Sequence, residues 1–155
     1  MESARWNNYF MQIARVTASM SKDPNTKVGA VLVKDRRILS VGYNGAPHPF
    51  EDGLVPNSSL SDELFKNKNA YMVHAELNAI LNYRGNLADL HDSTLYVTVS
   101  PCHECAKALI QLGVKTIIYD VKYHREQITD FSFWMLHQCG VELKSLEEIL
   151  NENQD

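Results

Sequence analysis

Cys102 and Cys105 stand three residues apart in Pro101-Cys102-His103-Glu104-Cys105, and His74 and Glu76 stand two apart in His74-Ala75-Glu76. Thiol, imidazole and carboxylate are the side chains that hold zinc and move protons. At the start of a helix, two cysteines at this spacing turn toward one point, and the positive helix end together with a metal ion stabilises them as thiolates. His74, opening a second helix near the same sheet edge, supplies an imidazole. Two thiolates and one imidazole make a three-ligand zinc site whose fourth position is open to water. Glu76 lies about 200° further round its helix than His74, so it does not face the ion as a ligand does. From the first helical turn its carboxylate reaches the water instead. Two thiolates neutralise the ion and acidify that water less than three imidazoles would, so the chemistry calls for a nearby proton shuttle, and Glu76 fits it.

Two plainer readings of the cysteines fare worse. A structural zinc site usually has four protein ligands, and neither Cys139 nor another histidine has the spacing to supply a fourth. A redox CxxC would leave His74-Ala75-Glu76 without a purpose. Cys139, beside Gly140 at a helix end, reads as a buried apolar residue. His103 reads as an exposed neighbour of the ligands, and His48, His91, His124 and His137 as isolated.

The elements that must position these groups follow from periodicity. Trp6, Tyr9, Phe10, Ile13, Val16, Thr17 and Met20 recur at helical spacing and predict a helix over 4–20, stopped by the Pro24 segment. Residues 27–33 and 37–43 read as strands joined by the Lys34-Asp35-Arg36 turn. The stretch 45–73 is polar and turn-rich, with a short helix expected around 60–66; a connection this long is usually functional or mobile. A helix over 74–84, with Leu77, Ile80 and Leu81 on one face, leads to a strand over 94–99 and a helix over 103–112 ended by Gly113. A strand over 115–120, a helix over 126–138, a strand over 141–144 and a helix over 145–152 complete the order. Alternating strands and helices imply a three-layer α/β/α domain spanning 1–155, with about five strands in a mixed sheet and helices on both faces.

Composition narrows the class. Of 155 residues, 45% are apolar and 22% charged, ordinary for a globular chain. No apolar run reaches the roughly 20 residues of a spanning helix, and the N-terminus lacks a signal-peptide core, so a cytoplasmic protein with no membrane partner is expected. With 15 basic against 19 acidic residues, net charge −4, an extended nucleic-acid track is not expected either.

Beyond the zinc signature, residues 21–33, Gly42-Tyr43-Asn44-Gly45, residues 74–82, residues 95–119 and Lys122-Tyr123-His124 resemble the deoxycytidylate (dCMP) deaminase family over roughly residues 5–125. The pairing of HxE with PCxxC is the zinc-deaminase pattern, with a non-ligand Glu as acid/base. The resemblance implies a cytidine-deaminase-like fold and zinc-dependent hydrolysis of dCMP to dUMP and ammonia, supplying dUMP for thymidylate synthesis. It implies one catalytic Zn2+ per chain on His74, Cys102 and Cys105, with Glu76 as proton shuttle. Asn44 matches a position that bonds the sugar hydroxyl, and the Ala75 backbone N–H one that bonds the pyrimidine carbonyl. Lys22, Asn25 and Tyr123 are the candidates for the 5′-phosphate.

The resemblance also implies a homo-oligomer, with hexamers among the relatives, and candidate allosteric effectors dCTP and dTTP. The segment tied to that regulation departs here from the family pattern: Pro47-His48-Pro49 stands where Pro, one residue and Gly are usual, and Pro cannot adopt the positive φ that Gly allows. No cysteine lies between Gly45 and Val73, so a second, structural zinc is not expected. The rival readings are a tRNA adenosine deaminase, a free cytidine or deoxycytidine deaminase, and a catalytically silent zinc-containing nucleotide-binding module. Net charge and the Ser21–Pro24 segment count against the first, loss of turnover without a 5′-phosphate would separate the second, and the intact Glu76 counts against the third.

Overall fold

The computed structural model describes residues 2–50 and 52–152. Five strands form one mixed sheet in the order β2-β1-β3-β4-β5, where β1 is Gly29–Lys34, β2 Arg37–Tyr43, β3 Thr94–Val99, β4 Thr116–Val121 and β5 Glu142–Ser145. β1 runs antiparallel to both β2 and β3. β3, β4 and β5 run parallel, as crossover helices require. The helices are α1 Ala4–Ala18, α2 Ala75–Asn82, α3 His103–Leu112, α4 Glu126–Gln138 and α5 Leu146–Glu152.

The period-2 pattern of the strands divides the core between the two faces. Ala30, Leu32, Leu95, Val97, Ile117 and Tyr119 point to the side covered by α2, α3 and α4. Val31, Val33, Tyr96 and Ile118 point to the other side, against Phe10, Met11 and Ala14 of α1 and Leu146 and Ile149 of α5. Three layers and helices on both faces are as expected.

The departures have local causes. β1 starts two residues late because the backbone N–H of Val28 donates to Asn44 Oδ1 at 2.8 Å rather than joining the ladder. The helix expected over 60–66 is a single tight turn, Leu64–Lys66. Polar side chains take the backbone's place there: Asn67 Nδ2 donates to the carbonyls of Ser59 and Ser61 at 3.3 and 2.8 Å, offering the chain an alternative to the helix. Leu77 and Leu81 are exposed, and α2 instead buries Ala75, Glu76 and Ala79. Small residues face the sheet because the helix sits directly on Gly42, where a Cβ would meet the Ala79 nitrogen at 2.3 Å. Cys139 is exposed rather than buried, since the backbone turns away at Gly140, whose φ is 76°.

Candidate active site

Both helix N-termini that carry the chemistry lie at the carboxyl ends of the parallel strands, the usual place for a ligand crevice in such a sheet. His74 is delivered by a two-bond bridge between Gly45 and Val73, with N–H to carbonyl distances of 3.1 and 2.7 Å. It caps α2 in extended backbone, and its carbonyl accepts from Asn78 N–H at 2.9 Å. On the neighbouring connection, the Ser132 hydroxyl donates to the Pro101 carbonyl at 2.8 Å, and Tyr123 N–H donates to Ser100 Oγ at 2.8 Å. Cys102 then caps α3, its sulfur accepting from Cys105 N–H at 3.5 Å.

The donor atoms of His74, Cys102 and Cys105 all lie within 4.8 Å of one another. His74 Nδ1 is 3.5 Å from Cys102 Sγ and 3.4 Å from Cys105 Sγ. A tetrahedral ion with ordinary Zn–S and Zn–N bonds has a nitrogen-to-sulfur edge of ~3.6 Å. The three side chains are therefore already arranged as one face of a zinc tetrahedron and are positioned to bind one metal ion. They also polarise one another. The hydrogen bond from Cys105, opposed by burial and aided by His74, draws the Cys102 thiol down to about 4. The same bond, reinforced by burial and the Glu76 charge, pushes Cys105 up. Contact with Cys102 raises His74 against the effect of its own burial.

Glu76 is buried beside them, 4% exposed. Burial pushes its carboxyl above the usual carboxylate range, against the pull of His74 and a hydrogen bond with Cys105. A carboxyl so placed can hold a proton at a pH where an exposed one has lost it.

His74, Cys102 and Glu76 open into a cavity of about 670 Å³ whose lining also includes Asn25, Asn44, Ala75 and Tyr123. That volume is ordinary for a small-molecule site. Lys22 is exposed and is not among the lining residues. Asn44 is buried and its amide is largely committed to the protein: Nδ2 donates to Thr26 O at 2.9 Å and Oδ1 accepts from Val28 N–H. One lone pair of Oδ1 is left by those bonds. The N–H of Ala75, in the first turn of α2, has no intrahelical partner by position.

Asp23, Lys68 and His103 are among the lining residues that the sequence did not mark as functional. Asp23 and Lys68 form a buried ion pair at 2.7 Å. Asp23 could have been suspected from its place in the Ser21–Pro24 segment; Lys68, in an aperiodic stretch, carried no signal. His103, expected to be an exposed neighbour of the ligands, is half-buried in the cavity lining, and its Nδ1 is buried with no hydrogen-bond partner among the described residues.

Deoxycytidylate deaminase of Mus musculus is 40% identical over 138 residues, 88% of this chain and 76% of its own length. That of Homo sapiens is 38% identical over the same extent. The crystal structure of dCMP deaminase from the cyanophage S-TIM5 in complex with dCMP and dUMP superposes with a TM-score of 0.76 at 30% identity, over 94% of this chain and 99% of that one. A sequence model of the cytidine and deoxycytidylate deaminase zinc-binding region matches residues 4–121, a span that holds both the His74 and the Cys102–Cys105 segments. On that match, and on a donor set already shaped for zinc, the chain belongs to the cytidine and deoxycytidylate deaminase family.

Proposed function

We propose that this chain, acting as a single deaminase domain, hydrolyses dCMP to dUMP and ammonia. The observation that carries this reading is the zinc-shaped triad of His74, Cys102 and Cys105, with His74, Cys102 and the buried Glu76 carboxyl all lining one cavity. The relatives named deoxycytidylate deaminase support the substrate.

Zinc, held by His74, Cys102 and Cys105, supplies Lewis-acid activation of water. The chain's own residues do the rest. Glu76 takes a proton from the attacking water and delivers it to the pyrimidine ring nitrogen next to the amino-bearing carbon. Water adds at that carbon, and Glu76 then takes the proton of the hydroxyl this leaves there and passes it to the amino group. The C–N bond breaks as the C=O bond forms, and ammonia leaves. Burial favours the protonated Glu76 that the delivery step needs. The Ala75 N–H donates to the pyrimidine carbonyl, orienting the ring, and its position at the helix start adds the favourable end of the α2 dipole. Asn44 uses its remaining Oδ1 lone pair for a sugar hydroxyl. Asn25 and Tyr123, both on the cavity wall, serve the 5′-phosphate; Lys22 would have to reach in from outside the lining.

A homo-oligomer suits the exposed aromatic pair Phe131 and Trp134, stacked at 5.9 Å. A reducing cytosol suits two thiolate ligands, which oxidation would remove. No helix among the described residues is long and apolar enough to cross a membrane.

Ammonia release from dCMP, deoxycytidine, dCTP and a tRNA, with and without a zinc chelator, tests the reading. Chelator-sensitive turnover favouring dCMP is expected. Turnover of deoxycytidine or tRNA in preference to dCMP would overturn it.

A further inference from the structure

Among the cavity features that the deamination steps leave unused is the ion pair of Lys68 with Asp23. Lys68 Nζ donates to Asp23 Oδ1 at 2.7 Å, and both side chains are 4% exposed. The same oxygen accepts from the N–H groups of Asn25 and Thr26 at 2.8 and 3.1 Å. The other, Oδ2, lies 3.5 Å from Asn44 Nδ2. A lysine is almost never fully buried unless it is paired, and an apolar residue could fill the same space without desolvating two charges. The pair does not sit in either apolar cluster. It sits in the wall of the cavity that holds His74, Cys102 and Glu76.

Lys68 reaches this wall from the long 45–73 segment, where its own N–H donates to the Ser58 carbonyl at 2.8 Å. It therefore straps that segment to the 23–26 turn. Its charge matters as much as its reach. Asp23, Glu76 and Glu104 all line the cavity, and Lys68 and Arg125 are its only lysine and arginine among the described residues. Without Lys68 the Asp23 carboxylate would confront an incoming phosphate dianion with an uncompensated negative charge.

We propose that Lys68 is a specificity-determining residue: by cancelling the charge of Asp23 in the cavity wall, it admits pyrimidine nucleotides that carry a 5′-phosphate. This rests on the reading of the cavity as a dCMP site. Lys68 acts through Asp23, and the substrate need not touch it.

The test is the ratio of affinities for dUMP and deoxyuridine, measured by calorimetry on the full zinc-loaded chain. These ligands differ only in the phosphate, so lost packing cancels from the ratio. Four proteins span the local charge: Lys68→Met, the parent, the Asp23→Asn/Lys68→Met double variant, and Asp23→Asn. One unit charge facing a dianion across a partly solvated cavity changes affinity by about tenfold. Lys68→Met should lower the preference for dUMP about tenfold, the double variant should restore it, and Asp23→Asn should raise it. If Lys68→Met fails to fold, the last two carry the same comparison, with an about tenfold gap expected. An unchanged preference in Lys68→Met, or no difference between Asp23→Asn and the double variant, overturns the proposal. A parent that binds both ligands but does not turn over dCMP overturns the functional reading alone; a parent that binds neither overturns both.

Discussion

Replacing Gly42 by alanine should damage catalysis from a residue that touches no substrate. Gly42 lies in β2 beneath α2, the helix that begins at His74 and carries Glu76. A Cβ at this position would stand 2.3 Å from the Ala79 nitrogen, 2.5 Å from the Ala75 carbonyl oxygen and 2.8 Å from the Asn78 carbonyl carbon. All three are backbone atoms, so no rotamer change relieves the overlap. To open the shortest contact to 3.4 Å, the lower edge of ordinary van der Waals contact, the helix must back away by about 1 Å. It is tied down on either side of that point. Ser40 Oγ donates to Ala79 O at 2.6 Å, Asn78 Nδ2 to Tyr43 O at 2.8 Å and Asn82 Nδ2 to Val41 O at 3.0 Å. Overpacking of this kind costs about 1–3 kcal/mol. The larger effect is geometric, because Cys102 and Cys105 ride on a different helix and do not follow. A misplacement of about 1 Å between catalytic groups costs roughly 10²-fold in rate. Steady-state deamination of dCMP, zinc content by elemental analysis and Tm should be measured together on Gly42→Ala. A fall in kcat near that size is expected, with a Tm lower by roughly 2–10 °C. Gly53→Ala, where a Cβ meets nothing within 4 Å, serves as the control. A Gly42→Ala enzyme with the parent's kcat and zinc content would refute the claim that this close approach sets the geometry of the centre.

Three further predictions concern other links of the same chain. Burial works against the Asp23 carboxylate, but hydrogen bonds from Lys68 and from the Asn25 and Thr26 N–H groups outweigh it and hold its pKa below the ordinary value. The resulting stability is complete above the unfolded-chain value of about 4 and drains away as pH falls through the lower folded-state value. The acid limb of Tm between about pH 5 and pH 2 should therefore be steeper for the parent than for Asp23→Asn; superimposable limbs would count against the pair's contribution. Thiol labelling should mark only Cys139 rapidly in zinc-loaded protein, because it is the exposed one of the three cysteines. After chelation Cys102 should join it, and labelling that ignores the chelator would mean that these sulfurs hold no metal. Gly113 closes α3 with φ 76°. Gly113→Ala should cost about 1 kcal/mol from that left-handed conformation, read as a lower denaturation midpoint, since the His91 ring it would meet lies on an exposed side chain and can swing aside.

The part of the centre that was legible in the sequence is the part encoded locally. Cys102 and Cys105 share a helix start, and His74 and Glu76 share another, so spacing alone conveys which groups point together. The short apolar runs in residues 94–99 and 115–120 likewise convey strands, buried on both faces of the sheet. Pairings between distant segments leave no such trace. Lys68 and Asp23 are 45 positions apart, and neither lies in a periodic element, so nothing in the chain announces that one neutralises the other. The leucines of α2 do not mark its inward face, because burial there is decided by shape as well as hydrophobicity. Gly42 demands small residues opposite it, and Ala75 and Ala79 supply them while Leu77 and Leu81 turn outward. Cys139 was misread for a related reason: a cysteine's apolar character says nothing about the left-handed turn at Gly140 that leaves it outside.

The most direct test of the central claim replaces Glu76 by glutamine, which keeps the volume and hydrogen-bonding reach of the side chain but cannot carry the proton. Deamination of dCMP and zinc stoichiometry should be measured on the same preparation as the parent. The account predicts that Glu76→Gln retains its zinc and its Tm while turnover falls by about 10²–10⁴-fold, the usual scale for a lost acid/base group. A zinc-loaded Glu76→Gln protein that deaminates dCMP at the parent rate would contradict it.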